Sequence, residues 1–400
     1  MRIHPFFRRA TLAKKIADDV LDDRPAAAAA SGLFLSSPRR TGKSTFLRED
    51  LLPELQTRDV EVLYVDLWKD TESDPGDVIM NAIREKLAEN APVLARIARK
   101  FGVGDELSVG PAKISTQSLL GSVGIGKGVS LADALGVYSE ETKKTIVLII
   151  DEAQHAMTTE MGRSSFFALK AARDELNRSG MYGLRIVATG SNREKLAALR
   201  GQKDQAFFLA PMQTLPHLGR DFVQWFREAN LIGDQTDEER IWQVFETCGY
   251  RPEILSAALN RVLAEPSESD PPEPLDQKIE AKAMDLIRES VGEQLRIVHS
   301  LTPLQSSVLR VMAAEGEGYS PFESRTMGKY RKVLDADFPD EETRADVSGV
   351  QAALEGLQRK GLVWNESRGV YMLEDASLAS VMKNAGLLDC LADHTPRVRR

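Results

Sequence analysis

Two short groups of residues have the types and the order to do chemistry: Gly42-Lys43-Ser44, and Asp151-Glu152 about a hundred positions later. The first closes the stretch LFLSSPRRTGKSTFL, residues 33 to 47. A phosphate-binding loop asks for Gly, four residues, then Gly-Lys-Ser/Thr, between an apolar strand and a helix. Gly42, Lys43 and Ser44 comply, an apolar run enters and the helical pattern STFLREDLLPEL leaves, but Ser37 stands where the first Gly belongs. The physics is anion binding by backbone N–H groups at a helix N-terminus, where the dipole favours negative charge. In this reading Ser37, Pro38, Arg39, Arg40 and Thr41 wrap the phosphates. Gly42 lets the loop close, Lys43 reaches the β and γ phosphates, Ser44 offers its hydroxyl to Mg²⁺, and Thr45 sits one step further into the helix. Ser37 is small and Pro38 presets a turn, so the departure removes none of the charges that the chemistry uses.

The second group ends the run TIVLIIDEAQH. Apolar residues followed by Asp151-Glu152 put two carboxylates at the C-terminal end of a buried strand, where open α/β sheets bind ligands. Asp151 is expected to hold Mg²⁺, usually through water, and Glu152 to orient or deprotonate an attacking water. A strand that merely ends in acidic loop residues is the alternative, and the Gly-Lys-Ser loop upstream weighs against it. The next strand, LRIVATGSNREKL, ends in Thr189, Ser191 and Asn192, side chains placed to sense a γ phosphate between the loop and the acidic pair. Asn192 is the first choice for that role and Ser191 the second. The expected ligands are ATP or ADP with Mg²⁺. A second glycine-rich stretch, GSVGIGKG at 121–128, has Gly128 after Lys127 and no strand before it, so it reads as a turn in a surface hairpin.

Positioning these groups requires a sheet. Near-continuous apolar runs at 32–37, 61–67, 145–151, 184–190 and 206–212 read as parallel strands covered by helices on both faces. Residues 1–211 are therefore expected to form an α/β domain, and 212–263, with helical spacing and no strand run, a small helical lid. The Pro-rich, acidic stretch AEPSESDPPEPLDQ opens a linker and connecting helix at 264–298. In 299–390, Thr302-Pro303 caps a first helix, two more follow, and LVWNESRGVYML is two apolar runs about a polar turn, which is the order of a winged helix. A basic tail, 391–400, closes the chain.

Composition narrows the class. The 400 residues exceed one usual core, and 42% hydrophobic with 28% charged residues is ordinary for a folded, soluble protein. A net charge of -8 and a pI near 5.4 exclude a surface that is basic throughout, so contact with double-stranded DNA would have to be local. Residues 300–400 carry 13 Lys and Arg against 15 Asp and Glu, and the basic patch there is Arg325, Lys329, Arg331 and Lys332. Two cysteines and five histidines give neither a disulfide framework nor metal-ligand spacing. No apolar run reaches the roughly 20 residues that a membrane helix needs. A cytoplasmic protein without membrane insertion is expected.

SPRRTGKST, VLIIDEAQ and VATGSN together resemble the archaeal-type ATPases, a family in the AAA+ and STAND group of P-loop NTPases, over roughly residues 5–260. The resemblance implies an Mg²⁺-dependent ATPase with a helical lid and a C-terminal winged helix. It implies that CGYRPEIL brings Pro252 onto the nucleotide, with Arg251 a further candidate and a structural helix break the alternative reading, and that FFRRATLAKKI, with Arg8, flanks the base. Relatives in that group are often homo-oligomers in which a neighbour's arginine meets the γ phosphate; Arg200 and Arg178 stand in suitable places and are not distinguishable from surface arginines. The leading expectation is a nucleotide-driven switch acting on a partner protein or DNA through the winged helix. The alternative is a DNA-binding regulator or loader with a slow or inactive site, and a third reading makes the winged helix a protein-docking or dimerisation module.

Overall fold

A computed structural model describes residues 6–24, 27–102, 116–178, 181–200, 206–265, 273–340, 344–367 and 369–391. Most of the Pro-rich stretch and the tail beyond Leu391 lie outside them. Two compact units are present, residues 1–234 with 250–252, and residues 235–249 with 253–400.

The first unit is built on five strands, β1 (Leu33–Ser36), β2 (Glu61–Asp66), β3 (Ile146–Asp151), β4 (Leu184–Gly190) and β5 (Met212–Thr214). They are all parallel, in the order β2-β3-β4-β1-β5. Every residue of β3 is buried because alternate side chains point to opposite faces and both faces are covered. Ile146, Leu148 and Ile150 join the core beneath the helices Pro75–Ala88, Leu131–Thr142 and Glu160–Leu176. Val147 and Ile149 join the opposite core, which Ala10–Leu21 and the helix leaving the phosphate loop close with Ile16, Phe46, Leu47 and Leu51.

The fifth strand corrects an expectation. The apolar run 206–212 forms a strand only at its end: residues 206–209 are a turn that drives Phe207 into the core, with ring centroids 5.7 Å from Phe34 and 5.8 Å from Phe166. Leu209 is 72% exposed with φ 61°, a left-handed backbone that no strand residue adopts. The glycine-rich stretch is a tight turn in which Val129 N donates to Ser122 O (2.9 Å) and Gly124 N to Val129 O (2.9 Å), with no strand on either side.

The helix that leaves the phosphate loop runs Lys43–Phe46, Leu47–Leu51 and Leu52–Gln56 without a break, and its middle stretch is widened, with Leu52 N donating to Leu47 O five residues back. Pro53 explains the change of register, since it has no N–H for the Glu49 carbonyl and its ring would crowd that carbonyl in a regular helix.

In the second unit Thr302 and Gln305 form a reciprocal cap on the helix Pro303–Glu315. Ser324–Asp337 and Val347–Arg359 follow, then an antiparallel hairpin of β6 (Val363–Ser367) and β7 (Val370–Leu373). Val308, Leu309, Tyr330, Leu354 and Leu357 make their shared core. Among the described residues no helix is long and apolar enough to cross a membrane.

Candidate phosphate-binding site

The C-terminal ends of β1, β3 and β4 converge, and β4 lies between the other two. Parallel pairing sets Ser36 beside Gly190 and Ile150 beside Ala188, so the tip of β4 stands between the loop after β1 and the acidic pair after β3. Adjacent strands are about 4.8 Å apart. A lysine that leaves β1's loop can therefore reach across β4 to β3.

In the loop, Ser37 does not use a glycine's conformational freedom. The left-handed positions are Arg40 (φ 64°) and Gly42 (φ 87°), and Ser37 is not among them. Its N–H donates to Gly190 O at 3.1 Å. Its hydroxyl lies 2.7 Å from the Thr41 hydroxyl, and Thr41 Oγ1 donates to Pro38 O at 2.7 Å. Both side chains are buried, so the loop is braced across its own base by a pair of hydroxyls. Pro38, Arg39 and Arg40 are exposed at its outer edge, and the Arg39 guanidinium stacks 4.8 Å from the Trp68 ring centroid. Gly42 precedes the helix that opens at Lys43, and Thr45 is half-buried on that helix.

Lys43, buried, pairs with Asp151 and lies 2.9 Å from Glu152 Oε1. Asp151 is the hub. Oδ1 accepts from Lys43, from Thr189 Oγ1 at 2.5 Å and from Glu152 N at 3.0 Å. Oδ2 accepts from Ser44 Oγ at 2.7 Å and Tyr64 Oη at 3.1 Å. Burial alone would raise the pKa of this carboxyl, but the Lys43 charge and the donors on it outweigh burial and hold it below the usual carboxylate range. Glu152 behaves alike: burial opposes ionisation, and Lys43, Gln154 and Ser191 more than compensate. Its backbone is left-handed at φ 53°, a strained conformation of the kind that folds retain at sites of function. Glu152 Oε2 accepts from Gln154 Nε2 at 2.5 Å and from Ser191 Oγ at 2.8 Å.

The strand-tip side chains face different neighbours. Thr189 and Ser191 touch the acidic pair, whereas Asn192 Oδ1 caps the helix Arg193–Ala198 by accepting from Lys195 N at 2.9 Å. Pro252 begins the helix Pro252–Ala264, next to Tyr250, whose ring stacks on His217 at 4.4 Å. Arg8 bonds the buried Asp50 at 2.6 Å. Arg200 donates to Ala210 O, bracing the turn that holds Phe207, and Arg178 pairs with Glu175 at 3.0 Å.

Tyr64 and Arg48 were not legible as site residues. Arg48 Nε donates to Tyr64 Oη (3.2 Å) and its Nη2 to Asp66 Oδ2 (2.6 Å), which leaves the Tyr64 proton for Asp151. Burial, then the neighbouring Asp151 charge, pushes the phenol's pKa up, so it remains a donor. The only signal was a tyrosine inside the apolar run EVLYVDL, two residues before an aspartate that pairs in register with Asp151.

No protein-family model matches this chain, and no curated protein matches it. Solved structures do. A Walker-type ATPase of Pyrococcus abyssi is 16% identical with a TM-score of 0.50, covering 95% of this chain and 99% of that one. The ORC2 protein of Aeropyrum pernix, in its ADP form, is 14% identical with a TM-score of 0.53, covering 98% and 97%. At such identities the likeness is one of fold: along nearly its whole length, the chain has the fold of this Walker-type ATPase and of this ORC2 protein.

Proposed function

We propose that the chain binds ATP at residues 37–45, hydrolyses it with Mg²⁺, and uses the change of nucleotide as a switch on a partner. The observation that carries this reading is Lys43 set between Asp151 and Glu152, with the Ser44 hydroxyl on the same aspartate. One cation, one hydroxyl and two ionised carboxylates at the C-terminal edge of a parallel sheet make the apparatus of phosphoryl transfer to water. The fold neighbours support it, one being a Walker-type ATPase and the other solved with ADP.

In this reading Lys43 and the N–H groups that follow Gly42 hold the β and γ phosphates. The oxygen donors of Ser44 and Asp151 suit Mg²⁺, which keeps several waters and takes one or two carboxylates besides phosphate; when bound it neutralises charge on the β and γ oxygens. Glu152 orients the attacking water and accepts its proton as the oxygen bonds to the γ phosphorus; the bond to the β–γ bridging oxygen breaks, and ADP and phosphate leave. Thr189 and Ser191 tie the tip of β4 to both carboxylates, which suits them, ahead of Asn192, to register the γ phosphate. Residues 212–263 would act as the lid.

The three helices and hairpin of 303–373 would serve as a winged helix that contacts the partner. A protein is favoured over double-stranded DNA. Lys329 is engaged by Glu315 at 2.8 Å, and the third helix exposes Glu355 and Val347 where a reading helix would meet phosphates and bases.

Phosphate release from ATP and Mg²⁺ tests the reading. The wild type should turn over, Lys43→Ala should lose nucleotide binding, and Glu152→Gln should bind and not turn over. No nucleotide binding by the wild type would overturn it. Binding without turnover in any condition would leave the regulator or loader with an inactive site. Salt-sensitive binding of a DNA duplex would replace the protein partner with DNA.

A further inference from the structure

Gln154 follows the acidic pair by two residues, is 6% exposed, and has no part in the chemistry described so far. Its amide nitrogen donates to Glu152 Oε2 at 2.5 Å. An ionised carboxylate only accepts, so the nitrogen must face Glu152 and the orientation of the amide is settled by its neighbour. The amide oxygen is thereby turned away from Glu152. It is buried without a hydrogen-bond partner. Leaving such an atom unpaired is costly, so its retention in the fold calls for a physical reason.

That oxygen lies against Gly190, the last residue of β4. A Cβ built on Gly190 would stand 2.3 Å from Gln154 Oε1 and 3.2 Å from its Cδ. Gly190 does not have a positive φ, so its backbone would accept an alanine. A side chain there would have to displace the buried Gln154 amide, which fills most of the space, with Leu196 Cδ1 at 3.3 Å on the other side. The next residue, Ser191, donates to the same Glu152 oxygen at 2.8 Å, and Gly190 O accepts from Ser37 N of the phosphate loop at 3.1 Å.

We propose that Gln154 is a positioning residue for Glu152: seated in the gap left by Gly190, it fixes the carboxylate's rotation, so that Oε1 faces Lys43 while Oε2 is held by the strand tip. The inference rests on the reading of Glu152 as the group that orients the attacking water. It assigns no contact between Gln154 and nucleotide. Removing the amide should therefore slow turnover and leave nucleotide affinity alone, and enlarging Gly190 should act through Gln154.

The test is a double-mutant cycle on the full chain, measuring kcat and KM for phosphate release and the Kd of a fluorescent ADP analogue for wild type, Gln154→Ala, Gly190→Ala and the pair. Gln154→Ala should lower kcat by about 10- to 100-fold, the scale of a misplaced reacting group, with KM and Kd within about twofold. Gly190→Ala should lower kcat comparably alone and add little in the Gln154→Ala background, where the clash with Gln154 is gone and only the 3.3 Å contact with Leu196 Cδ1 remains. If Gly190→Ala melts too low to assay, the fall in kcat of Gln154→Ala against its unchanged KM and Kd decides. Wild-type kcat in Gln154→Ala, a loss of nucleotide affinity that accounts for the slower turnover, or additive effects in the double variant would overturn the proposal while ATP hydrolysis stands. A wild type that binds nucleotide and never turns over overturns both.

Discussion

Replacing Ser37 with Gly restores the residue that most phosphate loops carry at this position, and here it should destabilise the protein by about 1.5–2 kcal/mol. The magnitude follows from two terms. Thr41 has one hydroxyl proton, and its 2.7 Å bond to Pro38 O consumes it, because a carbonyl cannot donate. Ser37 must then donate to Thr41 across the other 2.7 Å contact. Both hydroxyls are buried, and losing such a bond costs about 1 kcal/mol net. Ser37 is outside the left-handed region, so glycine gains nothing in the folded state and adds about 0.5–1 kcal/mol of chain entropy to the unfolded one.

For a domain of about 150–250 residues each kcal/mol moves the melting temperature by about 2–4 °C. The unit formed by residues 1–234 with 250–252 falls in that class. Ser37→Gly should thus melt roughly 3–8 °C below the wild type by circular dichroism without nucleotide, and Ser37→Ala, which loses only the hydroxyl, about half as far below. A Ser37→Gly variant that melts at or above the wild type would refute the argument, since it would mean that the hydroxyl pair does not brace the loop and that position 37 prefers glycine's freedom after all.

Gly42 presents the opposite case: at φ 87° with no atom within 4 Å of a built Cβ, Gly42→Ala meets no clash and should cost only the backbone strain, about 1–2 kcal/mol, read as a fall of a few degrees in the same melt. Gly162→Ala should be far worse, because its Cβ would fall 2.2 Å from Ala156 O; the prediction fails if the two variants melt together. Acid titration probes the carboxylates. Asp151 and Glu152 have folded pKa values below their unfolded ones, so the stability they add is fully present above roughly pH 4 and is lost as the pH falls through the lower folded values. Lys43→Ala removes the charge that lowers both, so its stability deficit against the wild type, measured by urea unfolding, should be largest near neutral pH and shrink below about pH 4. A deficit that does not vary with pH would show that Lys43 stabilises by packing alone.

Which parts were legible from the sequence depended on how far apart the deciding contacts lie. Four strands could be placed because burial on both faces writes itself as a continuous apolar run, and Lys43, Ser44, Asp151 and Glu152 because motif spacing fixes them within one strand and its loop. The run 206–212 looked the same and behaved otherwise. Ala206, Phe207 and Ala210 face the core, where Phe207 fills a space between Phe34 and Phe166 that the one-dimensional pattern does not contain, and Phe208 and Leu209 are left exposed. An apolar run records that some of its residues are buried, and a plug in a turn meets that condition as well as a strand does.

The same limit governed the site. Asn192 and Ser191 are adjacent polar residues at one strand tip, and no local rule ranks them. What ranks them is that position 192 precedes a helix whose Lys195 N–H needs an acceptor, while position 191 faces Glu152 across the sheet. Asparagine is among the best N-caps, so its side chain is drawn to the helix end. Ser191, with a shorter side chain and no helix to cap, is free to turn to the carboxylate. Ser37, read alone, is a defect in a motif; read with Thr41 it is a brace, and with Gly190 it ties the loop to the strand on which Gln154 rests. The charged residues proposed for the chemistry can be found by type and spacing, whereas the neighbours that hold them are chosen by volume and hydrogen-bonding groups that the chain brings together only when the sheet has formed.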